Sequence, residues 1–255
     1  MPATTTVIIL GPYRSGTSLT ACVLHELGVS FGPRQGMVPA DLRNPSGYFE
    51  RDDINAANTA LIESAGGTLA EPGKPEHVAA NGDLSTLASA DLAWMHEAPL
   101  SGIKDPRLCV TLNSWFQAGR LQKEHCRIVH VKRQIDKVVA SATNHSHVAD
   151  YCGGDSDKLR AMSDYYAHCA EWQIRELGLP AMTLRYEDLI AAPLEVAGNM
   201  AGFIGVQDQR TIQRAARCIG KQRALSRLRR QQFATMLRFK LGALRARFMR
   251  LTANR

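Results

Sequence analysis

The stretch Gly11-Pro-Tyr-Arg-Ser-Gly-Thr-Ser18 follows directly on the apolar run of residues 7–10, Val-Ile-Ile-Leu. An NTP-binding P-loop consists of a strand, then G-x-x-x-x-G-K-[ST], then a helix, and its backbone N–H groups and its lysine surround phosphates. The glycine spacing is kept here, but Thr17 stands where the lysine would be and the cation is Arg14. The stretch therefore predicts a strand, an anion-binding loop and a helix, without the usual NTPase lysine.

The rest of the chain repeats the pairing of a short apolar run with a longer helical stretch. Strands are predicted at residues 5–10, 100–103, 127–131 and 181–184. Repeated strand–helix units favour a parallel sheet with helices on both faces. We therefore predict an α/β fold of three layers, P-loop NTPase-like, with a central parallel sheet flanked by helices. Ligands of such sheets bind outside the carboxyl ends of the strands.

Glycine and proline residues set the predicted limits of the helices. The helix after the loop is expected to stop at Gly28, and a second helix is expected to run from Asp52 to the pair Gly66-Gly67. Residues 68–83 are rich in proline and glycine and are predicted to form an exposed loop.

The altered loop resembles the 5′-phosphosulfate loop of the sulfotransferase family, whose members use 3′-phosphoadenosine-5′-phosphosulfate (PAPS). In a second family signature, a strand ends in arginine and a serine follows eight residues later. Residues 127–133 end in Arg133, and Ser141 lies eight residues on. Tyr186, in Arg-Tyr-Glu-Asp-Leu, resembles a third signature. The resemblance extends over roughly residues 5–206.

The resemblance implies PAPS as cofactor, PAP as product and no metal. Arg14, the backbone N–H groups of residues 15–18 and the helix N-terminus would bind the 5′-phosphosulfate. The second signature would bind the 3′-phosphate and Tyr186 the adenine. Basic residues after the last core helix often add to the 3′-phosphate site in this family. The predicted cofactor-binding residues are Arg14, Ser15, Gly16, Thr17, Ser18, Arg133, Ser141, Tyr186, Lys221 and Arg223.

Transfer to a hydroxyl also needs a base that takes the hydroxyl proton. Phenol-sulfating relatives place a histidine two residues after a strand-end lysine, but this chain reads Lys104-Asp105-Pro106. In relatives that modify carbohydrates or tyrosine, a glutamate after the loop is the base, which implies Glu50. Asp105 is the alternative, although Asp before Pro also commonly caps a turn. The predicted catalytic residues are Arg14, Glu50, Lys104 as a nearby cation, and Asp105; the further base candidates are His25, His145 and His147.

The charge of the chain is unevenly distributed. Of its 31 Lys and Arg residues, 14 lie in residues 209–255, which contain no Asp or Glu. Residues 1–208 thus carry 17 basic and 24 acidic residues. We therefore divide the chain into an acidic α/β domain at 1–208 and a basic helical extension at 209–255, which either belongs to the same domain or forms a surface-binding tail.

Composition also bears on cellular location. No run reaches the 18 or more apolar residues of a membrane span, and no basic stretch with an apolar segment opens the chain. The six cysteines show no C-x-x-C pairing, so neither a zinc site nor a disulfide framework is indicated. We predict a cytoplasmic protein with reduced thiols.

The basic extension has apolar residues at helical spacing, with arginines between them. Such a helix has two possible roles. It contacts an anionic membrane surface, here the inner one, through residues 221–255, or it packs on the domain or on another subunit of an oligomer.

The predicted acceptor is a hydroxyl of a carbohydrate, a glycolipid or a related metabolite. One alternative is a P-loop kinase of a nucleotide or small alcohol. The alternative from another class is a nucleic-acid-binding protein that uses the basic extension; because the extension has no obvious aromatic stacking platform, no nucleic-acid partner is expected.

Overall fold

The computed structural model describes residues 4–41, 44, 47–143 and 146–220. At its centre is a parallel sheet of four strands in the order β2-β1-β3-β4. The strands are β1 (Thr5–Leu10), β2 (Leu100–Lys104), β3 (Cys126–Lys132) and β4 (Ala181–Arg185). Each predicted strand is confirmed, with bounds that differ by at most one residue at either end.

Side chains of β1 alternate between two buried clusters, one on each face of the sheet. Ile8 and Leu10 belong to the first cluster and Val7 and Ile9 to the second, and all four are fully buried. Burying an aliphatic side chain of this size stabilises a fold by about 1.5–3 kcal/mol. Because both faces are covered by helices, a continuous apolar run rather than an alternating one forms the central strand.

The helices are α1 (Thr17–Glu26), α2 (Asp52–Ser64), α3 (Pro75–Asn81), α4 (Leu108–Gln117), α5 (Ile135–Thr143), α6 (Ser146–Tyr151), α7 (Ser156–Leu177), α8 (Tyr186–Ala191), α9 (Pro193–Ile204) and α10 (residues 209–220). Helices α2–α7 supply side chains to the first cluster, and α1, α8, α9 and α10 supply them to the second. This arrangement confirms the predicted three-layer α/β fold.

The prediction of an exposed loop at 68–83 is wrong over α3. Pro75 occupies the first turn of this helix, where its missing N–H is tolerated and its fixed φ suits a helix. Val78 is fully buried and Ala79 is nearly so. The proline and glycine content predicts a loop here, whereas Pro75 in fact starts a short helix.

Helix α10 lies within the segment that composition assigned to the basic extension. Its side chains Ile212, Ala215 and Ile219 are buried in the second cluster. The first part of the extension therefore packs on the sheet, whereas residues 221–255 lie outside the described residues. None of the described helices combines the length and the apolar character needed to cross a membrane.

The strand register brings the predicted motifs to one edge. Lys104 at the end of β2 pairs with Ile9, the next to last residue of β1, and Lys132 at the end of β3 pairs with Arg185 at the end of β4. All strands run parallel, so the segments that follow them leave from the same edge. Strand order also reverses around β1, which is where open α/β sheets bind ligands.

His130 on β3 is expected to make the fold sensitive to acid. Burial, followed by the positive charge of Lys132, lowers its pKa to about 4, whereas Glu171 opposes this shift. In the unfolded chain His130 takes up a proton below about pH 6.5. In the folded chain it stays neutral down to about pH 4, so acid stabilises the unfolded state. The free energy of unfolding should therefore fall by about 2–3 kcal/mol between pH 7 and pH 4.5 from this group.

Urea unfolding at the two pH values checks this expectation. His130→Leu should lose most of that difference, while His96→Gln, at an exposed position, should keep it. An equal pH dependence in wild type and His130→Leu would contradict the assignment.

Candidate active site

The loop between β1 and α1 contains two glycines in conformations that other residues rarely adopt. Gly11 has φ 156° and Gly16 has φ 109°. A Cβ on Gly11 would lie 2.7 Å from the backbone oxygen of Val131, and one on Gly16 would lie 2.3 Å from the ring of Tyr186. The glycine spacing therefore lets the loop pass close to the ends of β3 and β4.

Arg14 joins this loop to the other predicted motifs. It has φ 66°, which is uncommon outside glycine, and its Nε donates a hydrogen bond of 3.2 Å to Ser141 Oγ. Arg133 Nη1 donates to the backbone oxygen of Arg14 at 2.8 Å. The guanidinium carbon of Arg133 lies 4.2 Å from the ring centroid of Tyr186. The structure therefore brings residues from three separate sequence motifs into one cluster.

The start of α1 supplies backbone donors beside this cluster. N–H groups in the first turn of a helix lack helical partners, and the helix dipole adds positive potential there. Ser15 differs, because its N–H donates to the oxygen of Pro12 at 3.2 Å and its hydroxyl is fully buried. The N–H groups suited to an anion are thus those of Gly16, Thr17 and Ser18, and Ser15 shapes the loop.

Glu50 and Lys104 form an ion pair next to the loop. Lys104 Nζ donates to Glu50 Oε1 and lies 3.4 Å from Ser18 Oγ. The side chain of Lys104 is 2% exposed and that of Glu50 is 11% exposed. The other carboxylate oxygen, Oε2, accepts a hydrogen bond of 3.0 Å from Asn55 Nδ2. Glu50 is therefore positioned beside the anion-binding loop, as a base for an acceptor would need to be.

Asp105 has a different environment, although it follows Lys104 directly. Its carboxylate is fully buried; Oδ1 accepts from the backbone N–H and from Nη1 of Arg107 at 3.0 and 2.9 Å, and Oδ2 accepts from Asn58 Nδ2 at 2.8 Å. Both carboxylate oxygens of Asp105 are therefore engaged in hydrogen bonds. The arrangement favours a structural ion pair over a base at Asp105.

Tyr48 lies on the acceptor side of the same region. Its hydroxyl donates to Asp41 Oδ2 at 3.0 Å. Burial and this hydrogen bond raise the pKa of Tyr48 well above its usual range, while the positive charge of Arg14 opposes the shift and the negative charge of Glu50 adds to it. Tyr48 is therefore within electrostatic reach of both the loop arginine and the candidate base.

Two of the three predicted histidines, His25 and His147, belong to the described residues, and both are exposed. The ring of His25 lies 5.8 Å from that of Phe49. His145, like Lys221 and Arg223, lies outside the described residues, so these three assignments stay predictions.

One open cleft lies at the opposite edge of the sheet. It has a volume of about 600 Å³ and is lined by residues at the amino ends of β1 and β3, among them Thr4, Thr6 and Cys126. Among the described residues, none of the predicted site residues lines this cleft. The candidate active site is therefore located by the motif geometry at the carboxyl edge.

Sequence reasoning did not identify Asn55 and Asn58, although both contact the candidate catalytic carboxylates. They lie three residues apart on the helix that directly follows Glu50. Amide side chains on one face of a helix that starts beside a candidate base are the signal that would have indicated them.

A sheet edge that joins an anion-binding loop to a carboxylate–lysine pair defines a P-loop-like enzyme that transfers an anionic group. The family model described as "Sulfotransferase domain" matches residues 4–236. The chain belongs to this family and is a sulfotransferase. PAPS dependence is the usual property of the family.

Two solved structures are among those similar to this chain. One is the sulfotransferase domain from the Synechococcus PCC 7002 olefin synthase, with a TM-score of 0.49 and 18% identity over 83% of this chain and 77% of that one. The other is the sulfotransferase domain from the curacin biosynthetic pathway, with a TM-score of 0.48 and 15% identity over the same shares of the two chains. The search of curated proteins found no match.

Proposed function

We propose that this protein transfers the sulfuryl group of PAPS to a hydroxyl and releases PAP, with Glu50 as the base. The observation that carries this proposal is the Glu50–Lys104 pair next to Ser18, at the edge of the anion-binding loop. PAPS, when bound, supplies the sulfuryl group and a phosphate leaving group. Positioning and electrostatic stabilisation account for most of the catalysis of comparable transfers.

The residues present fit such a cofactor. Arg14 on the β1–α1 loop and Arg133 after β3 are joined by a hydrogen bond, and the N-terminus of α1 adds positive potential next to Arg14. Anions are commonly bound by this combination of helix N-terminus and arginine. Within residues 4–41, 44, 47–143 and 146–220, no group of His, Cys, Asp and Glu side chains is arranged to hold a metal ion.

Each side chain of the pair has a separate part in the proposed mechanism. Glu50 takes the proton of the acceptor hydroxyl, for which Lys104 must release Oε1. Lys104, which also lies beside Ser18, would stabilise the negative charge that develops on the leaving phosphate. Arg14 stabilises the same charge but does not donate a proton, because a guanidinium stays protonated.

We further propose a carbohydrate, glycolipid or related metabolite as the acceptor class. The use of a carboxylate base and the likeness of residues 44–50 to carbohydrate-type relatives support it. Tyr48 is partly exposed and lies near Glu50, and we propose that its ring contacts a sugar ring of the acceptor.

Two measurements test the proposed function. Transfer of radiolabelled sulfate from PAPS is followed over a panel of monosaccharides, disaccharides and glycolipids. Thermal unfolding is measured with PAP and, separately, with ATP and magnesium, since a ligand of the folded state raises the unfolding temperature. Transfer together with a larger shift from PAP is expected. A larger shift from ATP and magnesium would support the kinase alternative instead.

A peripheral position at an anionic membrane surface is also proposed, on the basis of residues 221–255. This stretch has 11 Lys and Arg residues and no acidic ones, and it continues from α10, which is anchored on the sheet. The full chain is expected to sediment with vesicles containing phosphatidylserine at low salt and to be released at high salt. Failure to bind at low salt would contradict a membrane role and favour packing on the domain or on another subunit.

A further inference from the structure

Asn55 makes a directed contact with the candidate base. It lies in the first turn of α2, and its Nδ2 donates to Glu50 Oε2 at 3.0 Å. A carboxylate accepts hydrogen bonds and does not donate them, so the NH₂ side of the amide must face Glu50. The amide oxygen of Asn55 is buried and has no hydrogen-bond partner among the described residues. The contact with Glu50 is thus the side-chain hydrogen bond that fixes this amide.

Asn58 contacts Asp105, which is the neighbour of Lys104 in the chain. It lies three residues later on α2 and is fully buried; Nδ2 donates to Oδ2 of Asp105, the residue directly after Lys104, at 2.8 Å. Its own oxygen accepts from the side chains of Thr111 and Trp115 at 2.7 and 2.8 Å. One face of α2 therefore holds Glu50 through one asparagine and the end of β2 through the other.

The start of α2 is itself held in place. Arg51 directs Nε and Nη2 at the carboxylate of Asp53, at 3.1 and 3.4 Å, and lies 5.5 Å from the ring of Trp94. Ile54, next to Asn55, is 2% exposed. The backbone that carries Asn55 is thus anchored independently of the contact with Glu50.

We infer that Asn55 is a positioning residue for the base. It holds Oε2 of Glu50, so that Oε1 faces the acceptor hydroxyl once Lys104 has released it. Orientation of a catalytic base by a third group is a general device of acid–base catalysis. The inference rests on the proposed function of Glu50.

Two substitutions separate positioning from mere support of the fold. Asn55→Ala should lower kcat by about 10-fold while KM for PAPS stays within about twofold, because orientation of the base is lost and the cofactor loop is untouched. Asn55→Asp places a second carboxylate beside Glu50 and should move the acidic limb of the kcat–pH profile upward by about one pH unit or more. Asn81→Asp adds the same charge at an exposed position and should leave the profile unchanged.

A second readout does not depend on the acceptor. The carboxyl carbon of Glu50, assigned by its absence in Glu50→Gln, is titrated by carbon NMR in the PAP-bound wild type and in Asn55→Asp. An upward move of its midpoint supports the inference, and an unchanged midpoint overturns it. Wild type that transfers sulfate to no acceptor would contradict the proposed function alone, since the NMR titration still decides the role of Asn55.

Discussion

Glu50→Gln is expected to lower kcat for sulfuryl transfer by about 10²–10⁴-fold, the usual contribution of a positioned general base. Glutamine keeps the shape of the side chain but cannot take a proton from the acceptor. Affinity for PAP should change little, because the hydrogen-bond partners of Glu50 are Lys104 and Asn55, which are not among the predicted cofactor-binding residues. Initial rates with the best acceptor of the panel and calorimetry with PAP measure the two effects.

The matched control is Glu63→Gln, an exposed position on α2, which should leave kcat unchanged. The substitution at Glu50 also removes the partner of buried Lys104, so thermal unfolding must show that the variant is folded under assay conditions. Turnover within a few-fold of wild type in folded Glu50→Gln would remove Glu50 as the base.

Asp105→Asn distinguishes the two carboxylate candidates. It leaves Arg107 without its charged partner in a buried setting, which costs a fold about 3–5 kcal/mol. The variant should therefore unfold at a lower temperature, while its folded fraction keeps most of the wild-type turnover. A loss of turnover in Asp105→Asn together with normal turnover in Glu50→Gln would reverse the assignment.

Arg133→Ala is expected to weaken PAP binding by about 100-fold, since loss of a charged hydrogen-bonded contact in a desolvated site costs about 2–5 kcal/mol. Arg133 acts in two ways: it braces the loop through the backbone oxygen of Arg14, and it stacks on Tyr186. The variant loses both the cation that the family resemblance predicts for the 3′-phosphate and its hydrogen bond to the loop. Isothermal titration calorimetry with PAP measures the change.

Lys132→Ala is the matched control for Arg133→Ala. Lys132 is the preceding residue and carries the same charge, but its side chain is 47% exposed and pairs with Glu171 on the surface. Its removal should leave PAP affinity nearly unchanged, because exposed ion pairs contribute little. Equal losses in the two variants would indicate a general effect of charge, and unchanged affinity in Arg133→Ala would remove this residue from the site.

The sequence was informative where local pattern dictates structure. The run Val7-Ile-Ile-Leu10 is buried on both faces, which is typical of a central parallel strand, and the predicted strands are therefore found almost to the residue. Parallel strands also place the segments that follow them at one edge. For that reason the loop at residues 11–18 meets Arg133, Ser141 and Tyr186, although it is more than a hundred residues from them in the chain.

The sequence was less informative where a residue has two ordinary roles. Pro75 fits a loop or the first turn of a helix, and burial of Val78 against the first cluster decides for the helix. Asp105 fits a base or a turn cap, and its enclosure by Asn58 and Arg107 favours the cap. Both outcomes depend on neighbours that are distant in the chain.

The sequence by itself determined the layered α/β fold, the anion-binding loop and the family resemblance, because spacing along the chain encodes backbone conformation. Tertiary structure alone decided that Glu50 meets Lys104 beside Ser18, and that Asn55 fixes the carboxylate. The physical reason is that a hydrogen bond depends on the position of two side chains to within a fraction of an ångström. Such positions are set by how α2 packs on the sheet, which no local pattern contains.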